Sequence, residues 1–186
     1  MFKPDYPVRT PRLELRPFTA DDVDDAHAYM SDPAVVRFLY WQVRDRDEVR
    51  AFLKDRATQT SLRREGDKLY TAVVLPAQRR VIGEVMLAWT SREHHQAEIG
   101  FVVSPAFQGH GYAREAAHAM LAVAFEQFNL HRVIGRCDAR NTASATLMER
   151  LGMRREAHFV QDEWFKDEWS STYVYALLSQ ECPTPV

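Results

Sequence analysis

Long apolar runs and cysteines are both scarce in this chain. No apolar stretch approaches the ~20 residues that a helix needs to cross a bilayer, and residues 1–5 do not begin a signal peptide. Cysteine occurs only at Cys137 and Cys182, which favours two reduced thiols over a structural disulfide. We therefore expect a cytoplasmic protein that makes no membrane contact.

An excess of charge of either sign is also lacking. The formal net charge is −2 with 27% charged residues, which argues against a nucleic-acid-binding protein that depends on bulk electrostatics. A length of 186 residues fits one domain, predicted over residues 1–186 with its core at about 10–180. The oligomeric state stays open, and a homodimer is one alternative.

The hydrophobic periodicity predicts alternating strands and helices. A capping box at Thr19 begins a helix that runs to about Met30, and a second helix is predicted from Arg46 to about Arg64. Strands are predicted at residues 69–75, 81–89, 97–103, 133–138, 154–160 and 172–178, and further helices at about 113–128 and after Asn141. This order indicates an α/β (α+β) domain with a mixed central sheet and helices on its faces.

A glycine-containing turn, Gln108-Gly109-His110-Gly111-Tyr112-Ala113, separates the strand at 97–103 from the long amphipathic helix. The first N–H groups of a helix have no intrahelical partner and favour an anion, and Gly109 and Gly111 let phosphate oxygens approach the backbone. The turn is not a Walker loop, since no Gly-Lys-Ser/Thr follows, and it lacks the third glycine of a dinucleotide fingerprint. It predicts a pyrophosphate site.

The pattern Gln108, Gly111 and Ala113 resembles the Gln/Arg-x-x-Gly-x-Gly/Ala acetyl-CoA signature of the GNAT superfamily of N-acetyltransferases. The stretch from Asn141 to Met153, an asparagine N-cap, a short helix and a closing Leu-Gly-Met, is similar to a second GNAT motif. The flanking Arg12-Leu13-Glu14-Leu15-Arg16-Pro17-Phe18 and Arg37-Phe38-Leu39-Tyr40-Trp41 resemble the RimJ/RimL branch, the ribosomal-protein N-terminal acetyltransferases. The resemblance implies a GNAT-type sheet and acetyl-CoA as cosubstrate.

The residues predicted to bind acetyl-CoA lie on the strand, the turn and the second motif. They are Phe101, Val102, Val103, Gln108, Gly109, His110, Gly111, Tyr112, Ala113, Asn141 and Ser144. Gly100 is expected to let the strand bulge or splay, which would free backbone amides of Phe101 or Val103 for the pantetheine arm and the thioester carbonyl. Acetyl transfer needs no metal, and no metal site is predicted.

Glu98 is the predicted general base, because it precedes the turn and shares a strand face with Gly100 and Val102, where burial should raise its pKa. The resemblance implies that it relays the proton through water; the alternative is a carboxylate that only pairs with an arginine. Many GNAT enzymes carry a tyrosine that acts as the general acid at the position where this chain has Met148. Ser144, one helical turn earlier, is the predicted acid, or else a residue that only favours the helix start.

The acceptor is expected to contact Trp41, Glu98 and Trp164. The segment Phe159–Trp169 interleaves tryptophans with acidic residues, which would suit a cationic amine; its alternative is a packed hairpin with a solvated acidic edge. The predicted function is acetyl transfer to a primary amine, by direct attack, with an α-amine of a protein or peptide N-terminus or of a small molecule favoured. The alternative is a CoA-binding sensor or assembly module without turnover.

Overall fold

A computed structural model describes residues 1–182, so the last four residues of the predicted domain lie outside it. All eight strands form one sheet in the order β1-β2-β3-β4-β5-β6-β8-β7. The strands are β1 (Val8–Arg9), β2 (Glu14–Arg16), β3 (Lys68–Leu75), β4 (Arg80–Ser91), β5 (Gln96–Val103), β6 (Arg132–Asp138), β7 (Arg154–Phe165) and β8 (Glu168–Leu178). Only β5 and β6 pair in parallel among these strands, which makes the sheet mixed and confirms the predicted fold class.

Helices cover both faces of the sheet. They are α1 (Val23–Met30), α2 (Pro33–Val36), α3 (Arg46–Arg56), α4 (Tyr112–Ala122, continued by a π-helical turn over Val123–Gln127) and α5 (Thr142–Arg150). Successive residues of a strand point to opposite faces, and the core divides accordingly. Val85 and Leu87 of β4 join the hydrophobic cluster beneath α4 and α5, whereas Met86 packs on the cluster formed with α1 and α3.

The helix predicted from Arg46 to about Arg64 is shorter than expected and ends at Arg56. The residues that follow are small, β-branched or polar, and such side chains compete for backbone hydrogen bonds. The Thr58 hydroxyl donates to the Asp55 carbonyl at 2.7 Å, which closes the helix end. Leu62 then pairs with Phe2 in an isolated β-bridge and is fully buried.

The last two strands are longer than predicted and form a hairpin over most of the segment Phe159–Trp169. Its turn consists of Lys166 and Asp167, both at positive φ, between β7 and β8. The pairing is irregular between Phe159 and Glu163, where Gln161 also takes a positive φ. No helix within residues 1–182 is long and apolar enough to span a membrane.

Candidate active site

The sheet is forked at its centre, between β5 and β6. These parallel strands pair at only three positions, Gln96 with Arg132, Ala97 with Val133, and Glu98 with Ile134. Beyond Glu98, β5 remains paired with β4 as far as Val103, and β6 remains paired with β8 as far as Asp138. The two strands therefore separate towards their carboxyl ends and leave a gap with backbone on both sides.

Gly100 lies on the edge of this gap, yet β5 does not bulge there, because Gly100 stays in register with Met86 of β4. A Cβ on Gly100 would come 2.9 Å from the Met86 Cε atom. Of the two predicted alternatives, a bulge or a splay, the structure shows the strands splayed apart and no bulge at Gly100. The absence of a side chain at this position makes room for the end of Met86.

The glycine turn lies where β5 leads into α4, at the open end of the gap. Gly109 and Gly111 have φ values of +79° and +80°, a region that other residues rarely adopt, and Gly111 is the N-cap of α4. A Cβ on Gly109 would meet no atom within 4 Å, so its surroundings are open. The Gln108 side chain donates to the Val103 carbonyl at 2.9 Å, which ties the turn to the end of β5.

A clamp from the N-terminal segment holds this turn. The Arg12 Nη1 atom donates to the His110 carbonyl at 2.9 Å, and the Arg12 guanidinium pairs with Glu115 at 2.6 Å. The Thr10 hydroxyl donates to the same Glu115 carboxylate at 2.5 Å. Sequence reasoning missed the clamp because Arg12 and Glu115 are 103 residues apart and no local pattern relates them.

The second motif begins after β6, on the other side of the gap. The Asn141 side chain caps α5 by accepting from the Ser144 backbone N–H at 3.1 Å, as predicted, and Gly152 ends the helix at φ +83°. Met148 is 1% exposed and packs above Gly135 of β6, where an added Cβ would meet its sulfur at 2.5 Å. The Ser144 hydroxyl has no hydrogen-bond partner within residues 1–182.

Glu98 lies at the point where β5 and β6 separate. It makes no hydrogen bond or ion pair with any other described residue, so the alternative of a carboxylate held by an arginine is not seen. Burial raises the pKa of Glu98, and the charges of Arg136 and Lys68 oppose this shift. The carboxylate is half-buried and available to accept a proton.

A pocket with about 540 Å³ of empty space, open to solvent, adjoins Glu98. It is lined by Phe38, Tyr40, Glu98, Arg136, Cys137, Asp138, Glu163, Phe165, Ser170 and Thr172. The Tyr40 hydroxyl donates to Glu163 at 2.9 Å, and the rings of Tyr40 and Phe165 are 5.4 Å apart. The segment after α2 and the β7–β8 hairpin thus meet across the pocket.

Lys166, in the hairpin turn, strengthens this junction. Its ammonium group donates to the Val36 carbonyl at 2.6 Å and to the Trp41 carbonyl at 3.1 Å. Desolvation lowers the pKa of Lys166. The hairpin that the sequence marked as a specificity element is therefore fixed against the segment that carries Tyr40.

Trp41 and Trp164, the two tryptophans predicted to contact the acceptor, are not among the residues that line the pocket. The Trp41 ring is 6.0 Å from Phe52 and 5.2 Å from the Arg44 guanidinium, so its side chain packs towards α3. Trp164 is 59% exposed and stacks edge-on against Trp169 at 5.5 Å. Tyr40, the neighbour of Trp41 in the same predicted motif, lines the pocket instead.

Other groups near the gap are poorly suited to proton transfer. The Tyr175 hydroxyl already donates to Glu149 at 3.0 Å, and burial raises its pKa to about 12. Burial and the nearby Asp138 raise the pKa of the Cys137 thiol to about 11, so little thiolate forms at neutral pH. Within residues 1–182, no three His, Cys, Asp or Glu side chains are grouped so that they could hold a metal ion.

Comparison with known proteins agrees with this geometry. The family model described as an acetyltransferase (GNAT) domain matches residues 12–154. A Bacillus subtilis (strain 168) protein named uncharacterized N-acetyltransferase YnaD is 33% identical over 175 residues, which cover 94% of this chain and 98% of that protein. The crystal structure of an acetyltransferase (GNAT family) from Bacillus anthracis has a TM-score of 0.84 at 32% identity, over 94% of this chain and 99% of that one.

One structural neighbour contains a bound ligand. It is RimL, a ribosomal L7/L12 alpha-N-protein acetyltransferase in complex with coenzyme A, with a TM-score of 0.78 at 21% identity. The match covers 92% of this chain and 96% of that one. At this identity the similarity establishes the shared fold alone.

Proposed function

The chain belongs to the GNAT family of acetyltransferases, and from that membership we propose that it acetylates an α-amine of a protein or peptide N-terminus or of a small molecule. Members of this family transfer an acetyl group from acetyl-CoA to an amine. The observation that carries the proposal is the gap between β5 and β6, with Glu98 at its closed end and the glycine turn at its open end.

Acetyl-CoA fits the gap and the turn chemically. The open space above Gly109 and the N-terminus of α4 suit the pyrophosphate, because converging N–H groups and the helix dipole attract an anion. The unpaired edge of β5, from Phe101 to Val103, offers backbone groups to the amides of the pantetheine arm. Asn141 and Ser144 at the start of α5 complete the proposed cofactor-binding residues on the other side of the gap.

Glu98 acts as the general base in this proposal. The attacking amine must lose a proton as its nitrogen bonds to the thioester carbonyl carbon, and Glu98 receives that proton through a water molecule. A raised pKa makes a carboxylate a better proton acceptor near neutral pH. Backbone N–H groups on the free edge of β5 polarise the thioester oxygen as it gains negative charge.

Ser144 supplies the proton that the departing thiolate takes up when its carbon–sulfur bond breaks. Its hydroxyl has no competing partner within residues 1–182. Met148, at the position of the family tyrosine, has no proton to give. Water is the alternative donor, since a free thiol with a pKa near ~8.5 leaves partly as its anion.

The free energy of deprotonation favours an α-amine as acceptor. At neutral pH this step costs about 1 kcal/mol for an α-amine with a pKa near ~8, and about 4–5 kcal/mol for a lysine amine near ~10.4. A single carboxylate acting through water therefore deprotonates an α-amine more easily than a lysine amine. The resemblance of Arg12–Phe18 and Arg37–Trp41 to the RimJ/RimL branch supports the same choice. The cytoplasmic location stays a prediction, and a homodimer stays one alternative for the oligomeric state.

Release of free thiol from acetyl-CoA, measured with a panel of peptides and small amines, tests the proposed transfer. We expect thiol release that depends on the amine, and mass spectrometry should find the acetyl group on an α-nitrogen. Calorimetric binding of CoA is measured on the same protein. Tight CoA binding without thiol release across the panel would instead identify a sensor or assembly module.

A further inference from the structure

Arg136 on β6 is a charged group of the pocket for which the described residues provide no partner. Its exposed guanidinium makes no hydrogen bond or ion pair within residues 1–182. The other charged side chains of the pocket, apart from Glu98, are engaged. Asp138 pairs with Arg140 at 2.6 Å, and Glu163 accepts from the Tyr40 hydroxyl at 2.9 Å.

The register of the sheet brings Arg136 next to Glu98. Ile134 pairs with Glu98 across the parallel strands, and Arg136 follows two residues later, on the same face. Gly135 faces the opposite side, towards Met148. The strands separate beyond this pair, so Arg136 lies across the start of the gap from Glu98. A free cation and a free anion thus line one pocket without contacting each other.

This separation leaves both charges available to a ligand. An arginine is always protonated, and its planar fork matches a carboxylate with two parallel hydrogen bonds. If Arg136 served only to neutralise Glu98, a direct ion pair between the two side chains would be expected, and none joins them within residues 1–182. The pair of opposite charges is complementary to a molecule that carries both an amine and an anion.

We propose that the acceptor bears a carboxylate within a few bonds of its amine, as in a free amino acid or a peptide with an acidic second residue, and that Arg136 binds this carboxylate. The proposal rests on the acetyl transfer proposed above. Glu163 and Glu98 add negative charge to the site, whereas the charge of Asp138 is offset by Arg140. A carboxylate with one charge is therefore favoured over a phosphate dianion. A polyamine would bring its second cation towards Arg136, where like charges repel.

Matched pairs of acceptors test this inference. Each pair contains a dipeptide amide with aspartate in second position and the same compound with asparagine, or an amino acid and its amide. The second kind of pair is compared at equal concentrations of neutral amine, because the free carboxylate raises the pKa of the neighbouring α-amine. Because a charge-assisted pair is stronger than a neutral hydrogen bond, we expect kcat/KM to be at least about tenfold higher for the carboxylate member of the preferred pair. Diamines are included as the competing class.

Arg136→Gln should bring this ratio close to one, mainly by raising KM for the carboxylate member. Loss of Arg136 also changes the charge near Glu98, but that effect acts on both members of a pair and cancels in the ratio. Arg136→Lys should keep part of the preference. Arg63→Gln, which alters an exposed arginine outside the pocket, is the matched control and should leave both members unchanged.

The outcomes separate the two proposals. Turnover with an equal preference for amides, a preference for diamines, or an unchanged ratio in Arg136→Gln would overturn the role of Arg136 while the acetyl transfer stands. CoA binding without turnover of any acceptor would overturn the transfer and the acceptor class together. Circular dichroism of each variant shows whether it is folded before its ratio is used.

Discussion

Glu98 is half-buried at the edge of the pocket and makes no ion pair within residues 1–182. A carboxylate with a purely structural role would be expected to have such a partner. Glu98→Gln should lower kcat/KM about 100-fold at pH 7, a typical loss for a general base. The defect should shrink as the pH rises, because more of the acceptor amine is then already neutral. A pH–rate profile of both proteins checks this prediction.

CoA affinity should stay nearly unchanged in Glu98→Gln, since the proposed pyrophosphate site lies beyond the other end of β5. Glu93→Gln, in the exposed turn before β5, is the matched control. A defect of equal size at every pH would show that Glu98 acts in some way other than as a base.

Ser144 is expected to help catalysis without being indispensable. Ser144→Ala should reduce turnover by a factor on the order of 10 to 100, at or below the low end of general acid catalysis, because water can also protonate the thiolate. Steady-state kinetics and CoA titration check the prediction. Thr146→Ala, an exposed position on the same helix, is the control, and full activity in Ser144→Ala would leave Ser144 as a helix-start residue only.

Met148 cannot simply be replaced to recreate the family tyrosine. The sequence alone suggests that Met148→Tyr would restore an acid, but Met148 is buried against Gly135. A larger ring there would overpack the interface between α5 and β6. Rescue of Ser144→Ala by this change is therefore not expected.

The turn between β5 and α4 depends on two glycines in the left-handed region. Gly111→Val should weaken CoA binding at least tenfold, because a β-branched residue is strained at φ +80° and its side chain would approach the clamp of Arg12. Calorimetry with CoA measures the loss. Gly66→Val imposes the same strain at φ +90° in open space, so it separates backbone strain from loss of the site; equal CoA affinity in both variants would count against the turn.

The elements show what the sequence could predict. Strands β3 to β6 have strong apolar periodicity, as does helix α4 together with its π-helical continuation. Their positions match the prediction within two residues. Strands β7 and β8 are longer than predicted, because Lys166 and Asp167 form the hairpin turn without a glycine to mark it in the sequence. The Arg12–Glu115 clamp and the contact of Tyr40 with Glu163 depend on residues more than 100 positions apart, which no local pattern encodes.

The stability of the folded chain should depend on a buried carboxylate that the proposed mechanism does not use. Glu84 on β4 is 3% exposed, and burial raises its pKa to about 7 against the opposing charges of Arg44 and Arg56. One Glu84 oxygen and the Tyr29 hydroxyl have no hydrogen-bond partner within residues 1–182. Ionised Glu84 is therefore poorly stabilised in the fold.

A carboxyl group whose pKa is raised by folding contributes stability below its unfolded pKa of about 4.5, and this contribution is lost as the pH rises through about 7. The free energy of unfolding should fall by about 3 kcal/mol between pH 5 and pH 8 on account of Glu84. Urea unfolding at both pH values measures the change. Glu84→Gln cannot titrate and should flatten this dependence, and an unchanged slope in the variant would contradict the assignment.

The three-position pairing of β5 with β6 also has a consequence for solubility. Unpaired strand edges are templates on which other chains can add strands and aggregate, and here two such edges face each other inside one sheet. The amides of a bound pantetheine arm would occupy the β5 edge as a short substitute strand. We therefore expect the ligand-free protein to aggregate more readily than the CoA-bound protein, in which the β5 edge is covered.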